Sequence, residues 1–206
     1  KWLGGTLAAD GSIYCTPEGA DSVLRIRPTN SCTFFGSTGA GKCKWWGAVA
    51  HPDGKVYCVP YCATEVLCID PVARTLSTFG SLAGEFCKWA GGVLAGDGRI
   101  YCVPYCADDV LCIDPAARTA TTLGSVGEGF GKWLGGALGA DGLVYCVPCT
   151  ADVVLIIDPT THFVSYFGHA GYGQGKWAGG ALAADGAIYC APFCAEQVLR
   201  IDPAAR

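Results

Sequence analysis

Residues 88–131 read KWAGGVLAGDGRIYCVPYCADDVLCIDPAARTATTLGSVGEGFG. Four short β-prone runs follow one another in this stretch, with turn residues between them. GGVLA (91–95) ends at Asp97-Gly98, a dipeptide suited to a tight hairpin because both positions tolerate positive φ. RIYCVP (99–104) and VLCID (110–114) come next, and Asp114-Pro115 opens a further turn in which proline fixes φ at the second position. The Thr-rich TATTLG (119–124) is β-branched and runs into a glycine-rich return. No stretch shows helical spacing over about eleven residues.

The whole chain is this unit repeated. Lys-Trp occurs at residues 1, 44, 88, 132 and 176, at spacings of 43, 44, 44 and 44, and each copy approximates KWxGGxLAxDGxIYCxPxxAxxVLxIDPxxxxxTxFGxxGxG. Four antiparallel strands in about 44 residues, repeated, is the period of a propeller blade. The expectation is an all-β chain forming a single β-propeller domain over 1–206. Its blades would be 1–43, 44–87, 88–131, 132–175 and 176–206, the last stopping before its fourth strand. That missing strand is expected from residues upstream of Lys1, or else further blades are absent. Ile100, Tyr101, Cys102 and Val103 are apolar on both faces of a strand, as suits a sheet sandwiched between neighbours. The glycine pairs 4–5, 91–92, 135–136 and 179–180 fall where first strands are expected to crowd together. A solenoid is the competing repeat architecture, but its units usually carry a helix or a shorter period.

The stretch LAADGAIYCAPFCAEQVLRIDP (182–203) resembles the blade unit of the NHL, SMP-30 and YVTN group of propellers, whose repeats share a DGxIY...VxxIDP core. The resemblance spans all five units and implies the fold. For function it implies little, since such propellers include hydrolases, lyases, lectins and scaffolds.

Composition narrows the classes. Half the residues are apolar, which supports a sizeable core, and no window offers eighteen consecutive apolar residues for a membrane span. A net charge of −4 without Lys/Arg runs gives no footprint for nucleic acid. The chain starts at Lys1 and has no methionine, so it is expected to be a processed product or a fragment whose targeting segment is not visible. It is expected to be soluble, with its compartment left open.

Chain direction places the Lys-Trp dipeptides, the YCxPYC loops and the glycine-rich loops on one face, where the copies differ most. Loops on a rigid scaffold usually carry function. Candidate binding residues there are Lys1, Lys44, Lys88, Lys132 and Lys176, the acids Glu65, Asp108, Asp109, Asp152 and Glu196, and the aromatics Trp46 and Tyr172, which break the repeat. The lysines and acids read either as a ligand-binding ring or as solvated turns with weak ion pairs. The repeated tryptophans read as packing between blades.

No catalytic constellation stands out. The SMP-30-type metal site needs asparagines, and Asn30 is the one asparagine here. His51 and His162 fall in turns of the opposite face, away from His169 in a glycine-rich loop, so neither a nucleophile–base pair nor a metal triad is expected. Asp70, Asp114, Asp158 and Asp202 precede prolines or turns and read as turn caps. The chain is therefore read as non-enzymatic, without cofactor or metal: a protein-binding or scaffold module. A multivalent carbohydrate-binding propeller is the alternative, and a metal-dependent hydrolase a more distant one.

Fourteen cysteines are present. Cys15, Cys58, Cys102, Cys146 and Cys190 follow the repeated tyrosine and read as small apolar packing groups. A hairpin centred between its strands would set Cys58 opposite Cys68 and Cys102 opposite Cys112, the two disulfides the pattern nominates, and the expectation is that these thiols are free rather than bonded. Zinc would need a second ligand pair converging on the first. Cys146-Val-Pro-Cys149 has redox-pair spacing but lies at a strand end rather than a helix N-terminus.

Overall fold

The computed structural model describes residues 1–84 and 86–206. The described residues form five successive antiparallel sheets, each a meander in which every strand pairs with its chain neighbour. The first holds β1 (Gly5–Leu7), β2 (Ile13–Cys15), β3 (Val23–Ile26) and β4 (Cys32–Phe35). The second holds β5 (Trp45–Ala50), β6 (Val56–Pro60), β7 (Val66–Asp70) and β8 (Thr75–Phe79). The third holds β9 (Trp89–Leu94), β10 (Ile100–Pro104), β11 (Asp109–Asp114) and β12 (Thr119–Ser125). The fourth holds β13 (Trp133–Leu138), β14 (Val144–Pro148), β15 (Val154–Ile157) and β16 (Val164–Phe167). The fifth has three strands, β17 (Trp177–Leu182), β18 (Ile188–Pro192) and β19 (Leu199–Ile201). The four-strand repeat read from the sequence is thus the observed unit, with strand one beginning at the tryptophan rather than at the glycines.

The residues group into two compact units, residues 1–88 with 114–120 and residues 89–113 with 121–206. In the first, two sheets pack through Tyr14, Val23, Trp45, Val56, Cys58 and Leu67. In the second, Tyr101, Val103, Trp133, Val144 and Cys146 fill one seam, and Tyr145, Val147, Trp177, Ile188 and Cys190 fill the next. Both faces of β6, β10 and β14 are buried, which explains why these strands read as continuous apolar runs rather than as alternation.

The Asp-Gly turn is pinned by the tyrosine two residues into the following strand. Tyr57 donates to Asp53 at 2.7 Å, Tyr101 to Asp97 at 2.9 Å and Tyr145 to Asp141 at 2.7 Å, with equivalent bonds at Tyr14 and Tyr189. First strands meet at the first glycine after Lys-Trp-x: a Cβ on Gly135 would lie 2.8 Å from Gly179 Cα, and its φ of +69° also requires glycine. The expected crowding of first strands is therefore present in the second unit.

Candidate functional site

The repeated lysines are interior struts rather than ligand contacts. Lys44, Lys88, Lys132 and Lys176 are buried, and each ammonium reaches back to carbonyls of the preceding repeat. Lys44 donates to Ala20 O at 2.8 Å and Gly39 O at 2.7 Å, and Lys88 to Ala63 O at 3.0 Å and Gly84 O at 3.2 Å. Lys132 donates to Ala107 O at 2.9 Å, and Lys176 to Ala151 O at 2.8 Å. An ammonium has three donors, so it can tie the loop after strand two to the glycine-rich return in one step. Burial lowers the pKa of all four. Lys1 is exposed, and its α-ammonium stands 3.6 Å from Glu18.

The acids of the same loops act largely through their backbones. The carbonyls of Glu65 and Asp109 accept from the indoles of Trp45 and Trp89 at 2.9 Å and 2.8 Å, and Val153 and Gln197 serve Trp133 and Trp177 in the same way. Asp108 O accepts from Val126 N at 2.7 Å. The tryptophans are packing residues, as expected, and the loop backbone is their hydrogen-bond partner. Trp46 lies half-buried in β5 with its ring 4.8 Å from that of Tyr61, so it is packed rather than presented.

The cysteine pairing expected from a centred hairpin does not occur. Cys58 pairs with Leu67 and Tyr57 with Cys68; likewise Cys102 pairs with Leu111 and Tyr101 with Cys112. The loop places the register one residue from the expectation, and with a side-chain period of two this sets each nominated pair on opposite sheet faces. Burial pushes the thiols of Cys58, Cys102 and Cys146 well up, in keeping with packing groups. The IDP aspartates cap turns: Asp70 accepts from Val72 N and Ala73 N, and Asp158 from Thr160 N and the Thr161 hydroxyl. His51 is held in its turn by Asp53 at 2.9 Å, and the His162 ring stands edge-on to Tyr101.

A cleft in the first unit, lined by Lys1, Trp2, Ala20, Asp21 and Ser22 among others, encloses about 480 Å³, and its counterpart at the matching repeat positions opens in the second unit. That counterpart encloses about 410 Å³ and is lined by Tyr172, Gln174, Lys176, Trp177, Glu196 and Gln197, among others. Three of the candidate residues, Tyr172, Lys176 and Glu196, thus share one cleft. Tyr172 is 86% exposed, and its ring meets that of His169 edge-on, with centroids 5.3 Å apart. His169 Nδ1 in turn faces Asp152 Oδ2 at 3.8 Å, while Ala170 N donates to the Asp152 carbonyl at 2.6 Å. Asp152 belongs to the loop after strand two and His169 to the glycine-rich return of the same repeat. Sequence reasoning set both on one face without pairing them; the signal was that His169 replaces the serine of the other returns (Ser37, Ser81, Ser125), across from the acid position shared by Asp21, Asp108, Asp152 and Glu196. Among the described residues, no three His, Cys, Asp or Glu side chains gather as a metal site. No helix among them is long and apolar enough to cross a membrane.

No family model matches the chain, and no curated protein matches it in sequence. Solved structures do match in fold. A catalytically inactive virginiamycin B lyase from Staphylococcus aureus with quinupristin superposes at a TM-score of 0.83 and 14% identity, over 98% of this chain and 67% of that one. A streptogramin B lyase gives the same TM-score and identity over 98% and 65%. Kuenenia stuttgartiensis hydrazine synthase gives 0.70 and 15% over 99% and 63%. The chain spans about two thirds of the length of these structures. At such identity the likeness establishes the fold, an all-β propeller whose fifth blade has three strands here. It also corrects the expectation of a non-catalytic protein-binding or scaffold module, with its carbohydrate-binding alternative: the neighbours include a lyase, so this fold is no ground for excluding catalysis.

Proposed function

We propose that the chain binds a small organic molecule in the cleft beside Tyr172 and Glu196 and removes a proton from it with His169, in lyase-type chemistry. The carrying observation is the His169–Asp152 pair set against a wall of that cleft. With Nδ1 turned toward the carboxylate, Nε2 is the nitrogen that takes the proton, and Asp152 steadies the imidazolium that results. Tyr172 and Trp177 offer aromatic surface, and Glu196 and Gln174 offer polar groups to orient the ligand. Carbon–oxygen elimination beside a carbonyl suits such a site, because it needs a base and a leaving group but no added water. The likeness to a lyase crystallised with quinupristin supports this class of reaction. Kinship with the NHL, SMP-30 and YVTN repeats belongs to the same proposal and rests on the shared DGxIY...IDP core.

The test is incubation with ester- and lactone-bearing small molecules, quinupristin among them, followed by mass spectrometry. Elimination from an open ester gives two products whose masses sum to that of the substrate, and from a lactone one ring-opened isomer of unchanged mass, separated by chromatography and identified by fragmentation, whereas hydrolysis adds one water. Turnover that is lost in His169→Ala with unfolding unchanged supports the proposal. Turnover unaffected by that substitution, or no turnover of any substrate that binds the cleft, overturns it.

A further inference from the structure

Cys62 and Cys87 meet where the loop after strand two of the second repeat touches the following Lys-Trp segment. The Cys87 amide donates to the Cys62 sulfur at 3.4 Å, and the Cys87 thiol stands against the same sulfur. Cys62 is itself fixed, its amide donating to Cys43 O at 2.9 Å and Lys44 O at 3.2 Å. The Lys88 ammonium is close enough to act electrostatically on both sulfurs. Both cysteines are half-buried.

The backbone adds a second, independent observation. Cys87 has φ +54°, and the residue in the same place is Gly131 at φ +66° in the third repeat and Gly175 at φ +62° in the fourth. A left-handed conformation suits glycine, and a side chain held there is a strain that a functional role can explain. The fourth repeat shows the plain version of both positions: Thr150 stands in the place of Cys62, its amide donating to Gly131 O at 2.9 Å and Lys132 O at 3.2 Å as the Cys62 amide does to Cys43 O and Lys44 O, and Gly175 stands in the place of Cys87. The scaffold therefore works without either thiol. Cys43 is also left-handed, but the Glu18 carboxylate accepts from both its amide and its thiol and pushes that thiol up to about 11, holding it protonated.

We propose that Cys62 and Cys87 form a redox-active dithiol site that takes a low-molecular-weight disulfide such as oxidised glutathione as co-substrate. The thiolate of either cysteine attacks one glutathione sulfur, the disulfide breaks, and one glutathione thiolate leaves. The second cysteine's thiolate then attacks the protein sulfur of the mixed disulfide, and the other glutathione thiolate leaves. The two protons lost by the cysteines pass to the two glutathiones, so one disulfide is reduced and one is formed. The new bond ties the loop of residues 61–65 to the return that follows β8, and the reverse exchange releases it.

The test uses the intact chain with oxidised or reduced glutathione, followed by blocking of thiols and tryptic mapping. Trypsin yields residues 56–74, which hold Cys58, Cys62 and Cys68, and residues 75–88, which hold Cys87 alone. The expected product is these two peptides linked, with fragmentation placing the bond at Cys62, and release by reduced glutathione. Oxidation is expected to raise Tm by roughly 5–10 °C, as a bridge over this span would. Cys62→Thr and Cys87→Gly, which copy the fourth repeat and so fold, are each expected to abolish both the link and the Tm rise. Unlinked peptides after oxidation, or a link that persists in Cys62→Thr, overturn the proposal.

Discussion

The Lys132 ammonium lies 2.9 Å from the Ala107 carbonyl while its side chain is buried among the two loops it joins. Replacing it by methionine keeps the length and leaves those carbonyls without their donor, at a cost of about 2–4 kcal/mol. Urea denaturation of Lys132→Met measures this. The pH dependence has a definite sign. Burial lowers the folded pKa below the ordinary 10.5, so between the two values the unfolded chain binds more protons and stability rises with pH. The gap between wild type and Lys132→Met therefore widens as pH climbs toward that value.

Gly179 Cα would lie 2.8 Å from a Cβ on Gly135, and Gly135 Cα 3.0 Å from a Cβ on Gly91, so neither place has room for a side chain. Gly135→Ala meets both the left-handed backbone and the Gly179 Cα, and we expect a loss of about 2–4 kcal/mol by denaturant unfolding. Gly142→Ala is the control, since a Cβ there meets nothing within 4 Å although φ is +82°; it should cost only the backbone share, about 1–2 kcal/mol.

The Tyr57–Asp53 bond makes alkaline sensitivity predictable. Burial first, then the Asp53 carboxylate, raises the Tyr57 pKa well above its ordinary 10, and Tyr14 is raised to about 12 in the same way. Above about pH 10 the unfolded tyrosines lose protons that the folded ones keep, so stability falls with rising pH. Tyr57→Phe should cost about 1 kcal/mol at neutral pH and make the alkaline loss less steep. Denaturant midpoints at about pH 8 and about pH 11 would show both effects.

Alkylation should sort the cysteines by position. Cys32 and Cys194 are exposed and should react in the native state, whereas Cys58, Cys102 and Cys146, fully buried with raised thiol pKa values, should react only after denaturation. A Cys58–Cys68 or Cys102–Cys112 crosslink should not form in the folded chain, because the register sets each pair on opposite sheet faces.

His169 should carry the turnover. Its loss to alanine should lower the rate by about 10²–10⁴-fold, the usual share of a positioned base. Asp152→Asn should lower the rate less and leave substrate affinity nearly unchanged, because Asp152 touches the imidazole rather than the cleft. Steady-state kinetics of the two variants separates these effects.

Legibility followed periodicity. Five Lys-Trp dipeptides and five Asp-Gly turns specify strand count and order, because the same local physics is written five times. The roles of the tryptophans, the Asp-Pro caps and the second-strand cysteines were readable for the same reason. The lysines were misassigned: their repetition marks a charge with a fixed partner, but the partners are backbone carbonyls, which no sequence displays. The cysteine pairs were misplaced because one residue of loop length reverses a strand's faces.

By itself, then, the sequence determined the unit: four short strands, the turns that join them and the apolar surface that makes neighbouring sheets stack. Only the tertiary structure decided which side chains converge. His169 and Asp152 come from two loops of the fourth repeat, and Cys62 and Cys87 from two loops of the second. Such meetings depend on how loop backbones fold over the lysine struts, and that is fixed by hydrogen bonds to carbonyls common to every residue type rather than by the identity of the residues that meet.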